Sequence, residues 1–147
     1  MASTDPITWQ LALAVQAQLQ LIRKVNGYFT DIGDLVLLEE SVTPTKDQIP
    51  VVVDVNTSRL STDPNVNRRQ RSISFTIEAA VKASLSNAKQ LAHQIVGDVE
   101  SAFSKPQASI TGIANAKLTD STILKRPDGL DAIVVQFNGT ANYLPRT

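Results

Sequence analysis

The chain has 147 residues, 42% of them hydrophobic and 19% charged, which suits one globular domain and is too short for two comfortable ones. Fourteen Lys and Arg balance fourteen Asp and Glu, so the basic excess of a dedicated nucleic-acid or membrane-surface binder is missing. With no Cys and a single His, disulfides, thiolate chemistry, Cys-ligated zinc, iron–sulfur clusters and multi-His metal sites are excluded.

The first expected element is a helix. Thr4 or Asp5 can cap it, and Pro6 suits the first helical position. Ile7, Leu11, Val15, Leu19, Ile22 and Val25 recur at three- and four-residue steps and form one apolar stripe. Asn26-Gly27 should end it, because Gly takes the left-handed C′ position without a Cβ penalty. Trp9, Leu13 and Leu21 lie off the stripe and would suit a second contact surface, as in an oligomer. This is also the longest apolar-looking stretch. Gln16, Gln18 and Gln20 interrupt it, and it falls short of the roughly 20 apolar residues a membrane span needs. The opening MASTDP lacks the positive flank of a signal peptide. The expectation is a soluble protein kept in a cytoplasm, with no membrane role.

A short apolar run, Leu35 to Leu38, precedes a loop around Val42 to Lys46. Ile49 to Thr57 reads as a strand with Val51, Val53 and Val55 on one face, and Pro50 fits its first position. Ser61 to Asn67 is turn chemistry. The clearest strand follows: Ile73, Phe75, Ile77, Ala79 and Val81 alternate with mostly polar neighbours through Lys82. These two strands make a hairpin whose arms, at about 3.3 Å per residue, would reach roughly 30–40 Å and could protrude beyond the core.

A second helix should begin near Ser86 or Asn87, with Ala88, Leu91, Ala92, Ile95, Val99, Ala102 and Phe103 as its stripe. Lys89, Gln90, Gln94, Asp98 and Glu100 are assigned off that stripe, and Pro106 stops the helix. Gln107 to Ala116 fits no element. The chain closes with a hairpin. One arm runs from Lys117 to Lys125, the turn is Arg126-Pro127-Asp128-Gly129, and the other arm alternates from Ala132 to Tyr143. The order is α-β-β-β-α-β-β. It predicts a single α+β domain, an antiparallel or mixed sheet with two helices on one face. The other sheet face, rich in Ser, Thr, Asn and Glu, meets solvent or a partner.

Catalytic constellations are missing from the sequence. His93 has no nucleophile or orienting carboxylate at recognisable spacing. Asp31, Asp34, Glu39, Glu40, Asp120, Asp128 and Asp131 form no known metal loop, and neither a GxGxxG nor a Walker A pattern occurs. No catalytic, metal-binding or cofactor-binding residue is assigned, and the chain is not expected to be an enzyme. The strongest local charge feature is Arg68-Arg69-Gln70-Arg71. Arg68, Arg69 and Arg71 read as an interface for phosphate or an acidic partner, or as a solvated hairpin end whose charge blocks edge aggregation. Residues 1–66 hold four basic and eight acidic side chains, and residues 67–147 hold ten and six. If these segments form different faces, copies could dock head to tail, and a head-to-tail contact that closes makes a ring.

Three stretches carry a resemblance. They are the N-terminal helix leading to Ile49-Pro50-Val51-Val52-Val53, the strand Arg71 to Glu78 running into Ala88-Lys89-Gln90-Leu91-Ala92, and Leu124 to Gly129 followed by Ala132 to Phe137. In this layout the chain resembles the tail terminator proteins of long-tailed bacteriophages, the lambda-type family. The resemblance covers most of the chain but includes no signature motif. It implies a structural virion protein forming a hexameric ring at the head-proximal end of the tail, assembled in the host cytoplasm. The ring would halt polymerisation of the tail tube protein and offer a surface to head–tail connector and neck proteins. DNA would pass through its channel without sequence-specific binding. The alternatives are another neck, connector or head-completion protein, and, in a different class, a small-molecule-binding α+β domain with a preformed pocket.

Overall fold

The structure, a computed structural model, describes residues 7–38, 44, 49–60, 71–84, 86–104, 117–125 and 132–143. Its elements are helix α1 (Ile7–Leu19), strand β1 (Val36–Leu37), β2 (Val51–Leu60), β3 (Arg71–Lys82), helix α2 (Ala88–Ser104), β4 (Lys117–Lys125) and β5 (Ala132–Tyr143). The five strands form one sheet in the order β1-β2-β3-β5-β4. All pairs are antiparallel except β1 with β2, which is parallel. The expected order of elements and the α+β class are those observed.

Strand alternation sets the core. Along β3, Ile73, Phe75, Ile77, Ala79 and Val81 are buried, and the residues between them from Ser74 to Lys82 are half-buried. Val51 and Val53 of β2 and Ile133, Val135, Phe137 and Ala141 of β5 share that face. Burying a Phe or Ile side chain here is worth about 1.5–3 kcal/mol. Both helices cover this face: α1 lies over β1 and β2, and α2 over β3, β5 and β4. Phe103 of α2 stacks on Phe75, with ring centroids 6.4 Å apart and planes 20° from parallel. On the opposite face Ala132 and Val134 are also buried, so that face is not polar throughout.

β3 is a central strand. It pairs with β2 on one side and, over its full length from Arg71↔Tyr143 to Lys82↔Ala132, with β5 on the other. The expected hairpin therefore does not project as a free two-stranded arm over its described length. Sequence reading treated each hairpin as a unit and had no signal for the long-range β3–β5 pairing. The Ser61–Asn67 turn, the Pro127 turn, the loop around Val42 to Lys46 apart from Pro44, and the capping residues Thr4, Asp5 and Pro6 lie outside the described residues.

The first helix is shorter than expected. It stops at Leu19, and Val25, assigned to its apolar stripe, is 88% exposed. A 3₁₀ turn covers Lys24–Asn26, and Gly27 adopts its left-handed conformation (φ 91°) behind that turn. The cause is tertiary. The Gly33 N–H donates to the Ile22 carbonyl at 2.9 Å, in the turn just past the helix end. A Cβ on Gly33 would sit 2.7–2.8 Å from the carbonyl oxygens of Gln20, Ile22 and Leu19, so only glycine allows this approach.

What holds that loop is Asp98. Its carboxylate accepts the Phe29 N–H at 3.0 Å on Oδ1, and the Thr30 N–H at 2.9 Å and Thr30 Oγ1–H at 2.6 Å on Oδ2. Asp98 is 2% exposed and Thr30 3%. This corrects the assignment of Asp98 to the off-stripe residues of α2. It follows Leu91 and Ile95 and precedes Ala102 at three- and four-residue steps, so helical periodicity places it on the inner face. Gln18 of α1 adds a second buried tie, donating to the Ala102 carbonyl on α2.

Replacing Asp98 with Asn leaves one fewer acceptor for three donors, two of them buried. Each donor left unsatisfied costs roughly 1–3 kcal/mol. D98N is expected to lower the urea midpoint clearly, and D98A further still, whereas E100Q, at an exposed position one turn-half away, should stay within about 0.5 kcal/mol of the parent. Equal midpoints for D98A and E100Q would remove the clamp from the account.

Candidate assembly surfaces

Of the three arginines, Arg68 and Arg69 lie outside the described residues. Arg71 opens β3, its backbone between Leu60 of β2 and Tyr143 of β5. It therefore stands at the sheet end away from Lys82. The structure does not bring the three into a described site.

Three of the described carboxylates, Asp31, Asp34 and Asp98, have structural roles. Asp31 accepts the Lys24 N–H at 2.7 Å, and Asp34 pairs with Arg23 at 3.3 Å on the surface. Asp98 is the clamp. Among the described residues no group of three or more His, Asp or Glu is arranged to hold a metal ion. His93 is exposed on α2. No helix among the described residues is long and apolar enough to cross a membrane.

The sheet face away from the helices carries a polar ladder. Thr76, Asn138 and Asp120 are neighbours across β3, β5 and β4, and Asp54 of β2 completes the row beside Thr76. Thr76 Oγ1 donates to Asn138 Oδ1 at 3.3 Å, and Asn138 Nδ2 donates to Asp120 Oδ1 at 2.7 Å. The neighbouring row is Val52, Glu78, Gln136 and Thr122. Cross-strand pairs of this kind fix register.

The strongest exposed features are apolar and marginal. Trp9 is 42% exposed, Leu13 38% and Leu21 44%, as their off-stripe positions led us to expect. Phe29, beside the clamp, is 65% exposed, and Ile123 on β4 is 38% exposed. Both lateral edges of the sheet are also open among the described residues. β4 pairs only with β5, and β2 has a second neighbour, β1, only at Val51 and Val52. Sequence reading did not find these edges, because strand order depends on long-range pairing that hydrophobic alternation does not encode.

No protein-family model matches the chain. No curated protein matches it either. A solved structure does: a chain of the virion of a native gene transfer agent particle superposes with a TM-score of 0.64 at 12% sequence identity, covering 96% of this chain and 100% of that one. At that identity the likeness is one of fold, extending over nearly the whole of both chains.

Proposed function

We propose that this chain is a structural virion protein that forms a ring, most simply a hexamer, on the head-proximal end of a tail tube. The observation that carries the proposal is the end-to-end fold likeness to a chain of a gene transfer agent virion. The order of elements, which resembles lambda-type tail terminators, points the same way. In this reading the protein works by geometry, without catalysis or a cofactor. One ring face complements the last ring of the tube. The opposite face lacks the tube's own polymerising surface, so growth stops there and neck proteins bind instead. DNA passes through the channel without sequence-specific contacts.

The open edges and exposed apolar residues support an assembling protein. Contiguous exposed apolar surface marks interaction sites, and Trp9 and Leu13, four residues apart, share one exposed flank of α1. Arg68, Arg69 and Arg71 belong in this reading at a subunit contact or along the channel. A neck, connector or head-completion component is the second reading, since the matched chain is described only as part of the virion.

Light scattering after size exclusion, across a concentration series and with negative-stain images of the same fractions, tests the ring. The expected species is a closed sixfold particle of about 95 kDa, six times 15.9 kDa. A protein that stays monomeric alone and also fails to ring on purified tail tubes contradicts the proposal. Changing Arg68, Arg69 and Arg71 together to Glu should weaken ring formation or tail joining. Unaltered assembly of that variant would return the three arginines to a solvated hairpin end.

A further inference from the structure

We propose that successive copies of the chain join edge to edge, β4 of one copy running antiparallel beside the β1–β2 margin of the next. Ile123 then closes on the flank of α1 that carries Trp9 and Leu13. This rests on the ring reading above and names the surface that would build the ring.

Strand parity is the first argument. β2, β3, β5 and β4 are each antiparallel to their neighbour, so β4 runs opposite to β2. Rotating a copy about an axis along the strands sets a descending β4 beside an ascending β2, and the antiparallel alternation continues across the seam. β1, parallel to β2, preserves the same relation. Its two residues leave β2 open from Val53 onward among the described residues. An open edge presents unpaired N–H and C=O groups to another strand.

The apolar margins are the second argument. Ile123 is opposite Val135 and so lies on the helix-bearing face, at its β4 margin, and is 38% exposed. At the other margin, Gln16 of α1 donates to the Val36 carbonyl of β1 at 2.9 Å, whereas Gln18 reaches toward α2. The Gln16 flank therefore overlooks the β1 edge. At 3.6 residues per turn, Trp9 lies roughly 20° and Leu13 roughly 60° from Gln16 around the helix. Edge pairing brings these two apolar margins, on the same sheet face, together.

Two features restrict the pairing to one partner and one offset. Both edges carry a bulge at nearly the same level, β2 between Val55 and Thr57 and β4 between Leu118 and Asp120. Bulges bend a strand and hinder pairing with flat foreign edges. Asp54 and Asp120 end the same row, so an unstaggered seam would oppose two carboxylates. A two-residue stagger sets Asp54 beside Thr122 and Ile123 beside Val53 instead, with Leu124 and Lys125 passing outside β1, which holds Val51 and Val52; closed sheets require stagger. The two edges differ, so the contact is heterologous, the kind that generates rings.

The chain has no cysteine, which makes the test clean. Asp54 and Thr122 are both exposed on the polar face. The double variant D54C/T122C, treated with a short bismaleimide, should give a covalent ladder on denaturing gels that continues past dimer to the full ring. Each single variant should stay monomeric. A ring in light scattering with no ladder from the double variant overturns the edge contact and leaves the ring reading intact. Dimers from T122C alone would mean β4-to-β4 pairing and also overturn it. A protein monomeric under all conditions, tail tubes included, removes both. As a second probe, I123D places a charge on a half-exposed margin, where folding tolerates it. It should keep the parent melting temperature within a few degrees and weaken assembly by about tenfold or more. Undiminished assembly of I123D would contradict the seam.

Discussion

A buried carboxylate on α2 determines where the N-terminal half of the chain goes. Asp98 binds two successive backbone N–H groups and a hydroxyl of the Phe29–Thr30 loop. Hydrogen bonds to a charged acceptor are the stronger kind, and leaving their donors unpaired in the interior is costly. With that loop fixed, Ile32 is buried and Gly33 rests on the end of α1. The helix stops there, and the chain emerges at Val36 beside Val51 to start the parallel β1–β2 pair. The same route leaves Val25 and Phe29 in solvent. One side chain thus links helix length, sheet edge and surface character.

The strands were legible because their burial follows a period of two. Ile73 to Val81 alternate so regularly that only one face could be core, whereas β5 is buried on both faces from Ala132 to Val135 and alternates only beyond it. Local punctuation was legible too: Pro50 precedes β2, Asn87 immediately precedes α2, and Gly27 takes the positive φ expected of it. Two things were not. The end of α1 depends on Gly33, fourteen residues beyond Leu19, approaching the helix carbonyls; periodicity alone carried the stripe on to Val25. Asp98 was set aside because it is charged, although its spacing from Ile95 and Ala102 put it on the buried face. There the residue type misled where the spacing did not.

The surfaces follow from strand order, which alternation cannot supply. With β5 inserted between β3 and β4, β3 becomes a central strand and β4 an edge. Trp9 and Leu13, legible as misfits on the helix, acquire a location above the β1 margin only once Gln16 is seen to hold Val36. The three arginines, the strongest charge feature of the sequence, remain part of the functional proposal without a described contact to place them.

The proposed task of this chain is to end tail growth, and tail length is the direct readout of that proposal. Particles produced without this protein should show tail tubes of uncontrolled, excessive length, unattached to heads, in electron micrographs, and adding the purified protein before assembly should restore a uniform length. Tails of normal length joined to heads in its absence would contradict the account.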